Sequence, residues 1–233
     1  MENRTSNVRM ALLSSVLRLG GGLKTSKSLG PRPALPLELY EFEGCPFCRK
    51  VRETLSFLDL EAVIYPCPQG GTRFRPRAVE LGGKPQFPFL VDPNTGKQMY
   101  ESDEINRYLA TTYGTGSRPL MVSLGPVTMI SSMLASAARP GRGAKVRSSK
   151  APEKKLELWS FEASNYCRLA RERLCELELP YLLHNVGKGS PSRPAFIARS
   201  GKMQVPWLAD PNTGVELFES EAIVDYLDKT YAT

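Results

Sequence analysis

The 233-residue sequence predicts an α/β protein built from two tandem copies of one βαβ–α–ββα unit. Three observations carry this. Residues 37–60 align without gaps to 156–179 with 12 of 24 positions identical, and 86–113 align to 204–231 with 15 of 28 identical, which marks a duplication. Within each copy, apolar spacing switches between the two-residue period of strands and the 3.6-residue period of helices. The net charge of +7 lies outside the copies: residues 1–36 carry a balance of +5 and 115–155 of +7, leaving −5 for the copies together. The chain therefore divides into a targeting or disordered basic tail (1–36), a first unit (37–114), a basic linker (115–155) and a second unit (156–233).

In the first unit, Leu37 to Phe42 alternates apolar and polar residues, as a half-buried strand does. A helix follows Cys45, with Pro46 in its first turn and Val51, Leu55 and Leu58 on its buried face. Ala62 to Tyr65 reads as a short strand and Arg75 to Leu81 as a short helix ended by Gly82-Gly83. Phe87 to Val91 and Lys97 to Tyr100 form a hairpin around Asp92-Pro93-Asn94-Thr95-Gly96. Ser102 caps a last helix that turns Ile105, Tyr108 and Leu109 inward. This order is the thioredoxin arrangement.

Function classes narrow quickly. A nucleic-acid binder carries its basic face on the folded domain, and here the folded copies are acidic, so nucleic acid is not an expected partner. Five cysteines with one CxxC and a single histidine, His184, give no structural metal site. A lone CxxC beside a βαβ pattern signals redox chemistry in a reducing compartment. Residues 1–33 are rich in Arg, Ser and Leu and nearly free of acid. That is the composition of an organelle transit peptide, with the chloroplast favoured over the mitochondrion.

The chemistry concentrates in Cys45-Pro46-Phe47-Cys48. At a strand-to-helix junction, backbone N–H groups and the helix dipole stabilise a thiolate on Cys45. Cys48 is spaced to resolve a mixed disulfide, Phe47 supplies an apolar wall, and Arg49 and Lys50 add positive charge one turn on. The second copy reads Ser164-Asn165-Tyr166-Cys167, so the nucleophile position holds a hydroxyl. Two further cysteines and the histidine fall outside this pattern. Cys67, between Pro66 and Pro68, is expected as a free surface thiol, Cys175 in the core, and His184 in a structural role.

Three ordered motifs per copy then carry a family resemblance: the CPFC or SNYC turn, the Phe87-Pro88 or Val205-Pro206 pair, and the Glu101-Ser102 or Glu219-Ser220 dipeptide. Each unit resembles the N-terminal, glutathione-binding domain of glutathione transferases and the glutaredoxins. The pair resembles the tandem thioredoxin-fold proteins of plants and algae. The resemblance implies glutathione as cofactor, with Cys45 and Cys48, or Ser164 in the second unit, as the reacting positions. It implies cis bonds before Pro88 and Pro206, with the backbone of Phe87 and Val205 pairing with glutathione. Phe47 and Tyr166 would flank the sulfur. Glu101 and Glu219 would meet the γ-glutamyl ammonium, and Ser102 and Ser220 its carboxylate.

The leading expectation is a glutathione-dependent thiol–disulfide oxidoreductase acting on a disulfide-bearing or glutathionylated substrate. A transferase or isomerase using Ser164-oriented glutathione, and a non-catalytic glutathione-binding module, are the alternatives. A CPFC turn also occurs in membrane-associated prostaglandin E synthase, which the first copy resembles. The linker stands where a transferase carries its all-helical C-terminal domain, which is expected to be missing. Its 20 uncharged residues between Arg118 and Arg139 reach spanning length but hold four serines and two prolines. They are expected to pack on the units or to contact a membrane surface rather than cross it. The two units are expected to pack on each other.

Overall fold

The structure, a computed structural model, describes residues 8–13, 18, 20–116, 118–119, 130–134, 139 and 141–233. Most of the apolar stretch 119–138 lies outside the described residues. Among the described residues, no helix is long and apolar enough to cross a membrane.

The first unit runs β1 (Leu37–Glu41), α1 (Pro46–Leu58), β2 (Ala62–Pro66), α2 (Arg75–Gly82), β3 (Phe89–Asp92), β4 (Lys97–Met99) and α3 (Ser102–Thr112). The second repeats it as β5 (Leu156–Ser160), α4 (Asn165–Glu176), β6 (Tyr181–Asn185), α5 (Arg193–Ser200), β7 (Trp207–Asp210), β8 (Val215–Phe218) and α6 (Ser220–Tyr231). Element order follows the sequence expectation. The third strand of each unit starts late, at Phe89 and Trp207, because each preceding proline follows a cis peptide bond, Phe87-Pro88 and Val205-Pro206.

All eight strands join one sheet, ordered β4-β3-β1-β2-β6-β5-β7-β8. Its two halves meet at β2 and β6, which pair antiparallel with Ala62 opposite Leu183 and Ile64 opposite Tyr181. The sheet edge that a lone unit would expose is thereby consumed. One apolar core is continuous across this seam, holding Leu39, Ile64 and Leu109 with Leu158, Tyr181 and Ile223. On the opposite face each unit has its own smaller cluster. Tyr40, Cys67, Ala78 and Phe89 in the first match Trp159, Val186, Phe196 and Trp207 in the second.

Cys67 is therefore not a surface thiol. It is fully buried, its Sγ bonded to the Tyr65 carbonyl at 3.4 Å, and burial pushes the thiol up. The flanking prolines suggested an exposed strand end, yet β2 is central in the sheet, and the corresponding residue, Val186, is apolar. Cys175 is buried and donates to the Gly143 carbonyl at 3.3 Å. His184 stacks on Trp159, with ring centroids 4.1 Å apart, and bonds Glu61 and Glu157.

The basic segments ahead of each unit are part of the body. Residues 20–26 cross to the second unit, where Lys188 N–H donates to Leu23 and Thr25 N–H donates to Lys188. Residues 141–149 cross to the first, where Gln69 N–H donates to Ala144 and Val146 N–H donates to Gln69. The duplication thus extends upstream, with Arg18 and Gly22 answering to Arg139 and Gly143. Gly22 (φ 75°) and Gly143 (φ 59°) leave room for no side chain, since a Cβ would lie 2.7 Å from Glu162 and Glu43 respectively. Arg18 forms a two-pronged pair with Glu53 at 2.7 and 2.5 Å, as Arg139 does with Glu172 at 2.6 Å, all four buried.

Breaking a buried pair from one side strands the other charge, at a cost of about 3–5 kcal/mol. Arg18→Ala is expected to cost at least about 3 kcal/mol, within this range. Urea unfolding of the variant checks this, and an unchanged midpoint at unchanged slope would refute it.

Candidate functional site

The strand-to-helix turns β1–α1 and β5–α4 place the two candidate positions, Cys45 and Ser164, in matching conformations. Cys45 (φ −76°, ψ 123°) is the N-cap of α1, and its Sγ accepts from Cys48 N–H at 3.3 Å. Ser164 (φ −71°, ψ 118°) is the N-cap of α4, and its Oγ accepts from Cys167 N–H at 3.2 Å. The same backbone thus carries a thiol in one unit and a hydroxyl in the other. Both side chains are buried, while Phe47 and Tyr166 stand 44% and 48% exposed and mark the rims.

The two thiols of the first unit are driven apart. Burial pushes Cys45 up, but hydrogen bonds from the Cys48 side chain and amide and the Phe47 amide outweigh it, Glu41 opposing, so the thiol ends below its ordinary value. Burial pushes Cys48 well up, and its bond to Cys45 adds to that. One thiol is thereby favoured toward the thiolate and its neighbour toward the protonated form. Neither is in a disulfide.

The acid–serine dipeptides occupy strained backbone ahead of the last helices. Glu101 lies at φ 63°, ψ 109° and Glu219 at φ 69°, ψ 120°. Non-glycine residues held there cost about 1–3 kcal/mol and cluster at functional sites. Gln86 donates to Glu101 Oε1 at 2.5 Å, and Gln204 donates to the Glu219 carboxylate. Sequence reasoning passed over these glutamines, although their identity in both copies was a usable signal. Ser102 and Ser220 are buried at the two helix N-termini.

In the second unit, a cavity of about 500 Å³ brings together Tyr166, Glu219 and Ser220 with Leu169, Val224 and, from the upstream segment, Val8. Ser164, Val205 and Pro206 do not line it. In the first unit the matching positions turn polar: Leu169 is answered by Lys50 and Val224 by Asn106. Lys50 is not a charge for Cys45, as its buried Nζ pairs with Asp103 at 2.5 Å.

Arg49 is also withdrawn from Cys45, into a buried charged cluster between α1 and α4. Burial, then Arg168, lowers its guanidinium to about 9. Arg52 reaches Glu41, Glu43 (3.3 Å) and, across the seam, Glu162 (3.0 Å). Arg171 returns the contact to Glu43 (3.1 Å) and Glu162 (2.9 Å). Burial opposes ionisation of Glu162, but Arg171, Arg52, Arg168 and Arg49 overcome it and hold the carboxyl at about 2. This cluster was missed in the sequence, though six of its members recur unchanged in the repeat as Glu43/Glu162, Arg49/Arg168 and Arg52/Arg171.

A strand, a turn with a capping nucleophile position, a cis proline and an acid–serine helix start, present twice, define a pair of thioredoxin-fold units. Two stretches, 39–118 and 158–233, match the model of the glutathione S-transferase N-terminal domain. The chain belongs to that family. A glutathione S-transferase-like protein, tpcF, of Aspergillus fumigatus is 38% identical over 58 residues, a match covering 25% of this chain and 26% of that protein. Among solved structures, the Bombyx mori glutathione transferase BmGSTD1 is 27% identical over 36% of this chain and 38% of its own, with a TM-score of 0.33. The Leishmania trimeric glutathione transferase TDR1 is 14% identical, covering 86% of this chain and 68% of its own, at a TM-score of 0.30. Scores that low carry no functional argument. The chain thus spans about a quarter of the curated relative and well under half of the silkworm enzyme.

Proposed function

We propose that the first unit is a glutathione-dependent thiol–disulfide oxidoreductase centre. The observation that carries this is the split of the Cys45–Cys48 pair into a lowered, helix-capping thiol and a raised, fully buried one. Cys45 thiolate attacks the sulfur of a glutathionylated or disulfide-bearing substrate, the S–S bond breaks, and the substrate leaves as a thiol after taking a proton. A mixed disulfide on Cys45 remains. A free glutathione thiol, or Cys48 followed by free glutathione, resolves it. A glutathionylated substrate consumes one net free glutathione, which ends in oxidised glutathione with the glutathionyl group from the substrate. A disulfide-bearing substrate consumes two, its second thiol leaving at this step. Glu101 and the α3 N-terminus hold the γ-glutamyl ammonium and carboxylate. Membership in a family named for glutathione transferases supports glutathione as the thiol.

The test is direct. Treated with oxidised glutathione, full-length Cys48→Ser protein is expected to retain one glutathione per chain on Cys45, seen by intact-mass and peptide analysis. No adduct at Cys45 would overturn the reading.

A second reading rests on the 500 Å³ cavity beside Tyr166, Glu219 and Ser220. In this reading glutathione extends from that cavity to the α4 N-terminus, where Ser164, outside the cavity lining, donates a hydrogen bond to its thiolate, and the thiolate attacks a small electrophile. Without an adjacent base Ser164 is no nucleophile, so this unit forms no mixed disulfide of its own.

A further inference from the structure

Six of the eleven large apolar side chains exposed among the described residues fall in two short helical stretches, 8–13 and 130–134. In 130–134 the residues divide by face. Ile130, Met133 and Leu134, at i, i+3 and i+4, share the outer side and are 53–59% exposed. Ser132 turns the other way, is fully buried and donates to the Pro46 carbonyl at 2.7 Å. The upstream segment repeats this plan. Ala11 answers to Ser132 by the offset that pairs Arg18 with Arg139 and is fully buried, while Arg9, Leu12 and Leu13 share the exposed side. Arg18 Nη1 donates to Ser131 Oγ at 2.6 Å and ties the two segments together.

Positive charge is concentrated on the same segments. Residues 1–36 carry +5 and 115–155 carry +7, against −5 for the two units together. A second copy seated on these side chains would bring basic segment against basic segment, a juxtaposition that opposes association. An anionic lipid surface satisfies both features at once. Exposed aliphatic side chains gain by entering the boundary between headgroups and acyl chains, and nearby Lys and Arg are drawn to the lipid phosphates.

We infer that 8–13 and 130–134 seat the folded protein on an anionic bilayer surface. Leu12, Leu13, Ile130, Met133 and Leu134 enter the lipid boundary, and Arg9 with the other cations of the two segments meets the headgroups. Ala11 and Ser132 keep the stretches fixed to the body, so the whole protein docks rather than a trailing peptide. Ser132 rests on Pro46, the residue after Cys45, which puts the Cys45 turn next to the seat.

The experiment sediments the full chain with sucrose-loaded vesicles of phosphatidylcholine, with or without phosphatidylserine. Binding to the mixed vesicles is expected to be at least about tenfold tighter than to the neutral ones, a gap that narrows as salt rises. Leu12→Glu with Leu13→Glu, and Met133→Glu with Leu134→Glu, should each weaken binding to mixed vesicles at least about tenfold. Met133→Ser with Leu134→Ser removes apolar area without adding charge and should weaken it in the same direction. Ile197→Glu, also at an exposed side chain but on α5 at the opposite face of the sheet, should bind within about twofold of wild type. Urea midpoints close to wild type are expected for all of these, because every replaced side chain is exposed. Equal binding to neutral and mixed vesicles would overturn the inference, as would binding to neither. So would Glu and Ser pairs that bind like wild type. A dimer that the Glu pairs dissolve, in a chain that ignores vesicles, would overturn it in favour of a second copy on this face.

Discussion

Cys45→Ser is expected to lower glutathione-coupled reduction of a glutathionylated peptide by at least about 10³-fold, because an unactivated hydroxyl neither attacks a disulfide nor forms a mixed one. The substitution is mild for the fold. Ser164 already shows that serine at this position caps the helix, accepting from the residue three places on at 3.2 Å where Cys45 accepts at 3.3 Å. Stability should therefore shift by no more than about 1 kcal/mol, the usual range for exchanging one competent cap for another. The two readouts separate chemistry from structure. An enzyme that melts at the wild-type temperature with less than a hundredth of the activity fits the prediction. Activity within tenfold of wild type would remove Cys45 from the chemistry.

The second large effect is on stability. Among the described residues, Arg52 is the one guanidinium that joins Glu41 and Glu43 of its own unit to Glu162 of the other. Arg52→Ala leaves three buried carboxylates sharing what charge Arg171 and Arg168 can offer, and a loss of about 5 kcal/mol, the upper end for breaking a buried pair, is expected. An internal control is available. The exposed pair Arg77–Glu80 also measures well geometrically, at 2.8 Å, but both side chains are more than half exposed. Arg77→Ala should leave the unfolding midpoint close to that of the wild type, since solvent screens an exposed pair. Urea midpoints at constant slope compare the two. Equal midpoints would mean that the buried cluster contributes no more than a surface pair.

How much of this was readable beforehand depends on the range of the signal. Strands, helices and turns are set by local periodicity, so Leu37, Val51 and Ile105 announced their buried faces correctly. The placement of Cys45 and Ser164 at a strand-to-helix junction was equally legible, since each lies between a period-two strand and a 3.6-period helix in the sequence. Residues whose roles depend on distant partners were not. β2 and β6 each read as an ordinary strand, and nothing in five residues states that two such edges will pair. Arg49, Arg52 and Glu53 lie on what looks like the solvated face of α1, yet that face is buried against α4 and the upstream segments. Polar composition disguised the burial. The glycine-rich stretches at 20–26 and 141–149 resembled tail and linker for the same reason, their partners lying at Lys188 and Gln69.

The crossing of residues 20–26 onto Lys188 has a consequence during synthesis. A ribosome adding about 5–20 residues per second needs on the order of ten to thirty seconds between making Thr25 and making its acceptor. The first unit, complete by residue 114, can close around its own core long before then. Residues 20–26 cannot complete their bonds to Lys188 before that residue exists. This upstream segment thus finishes docking only in the last stage of assembly, and until then the newborn first unit presents the bare edge of β2 to its surroundings.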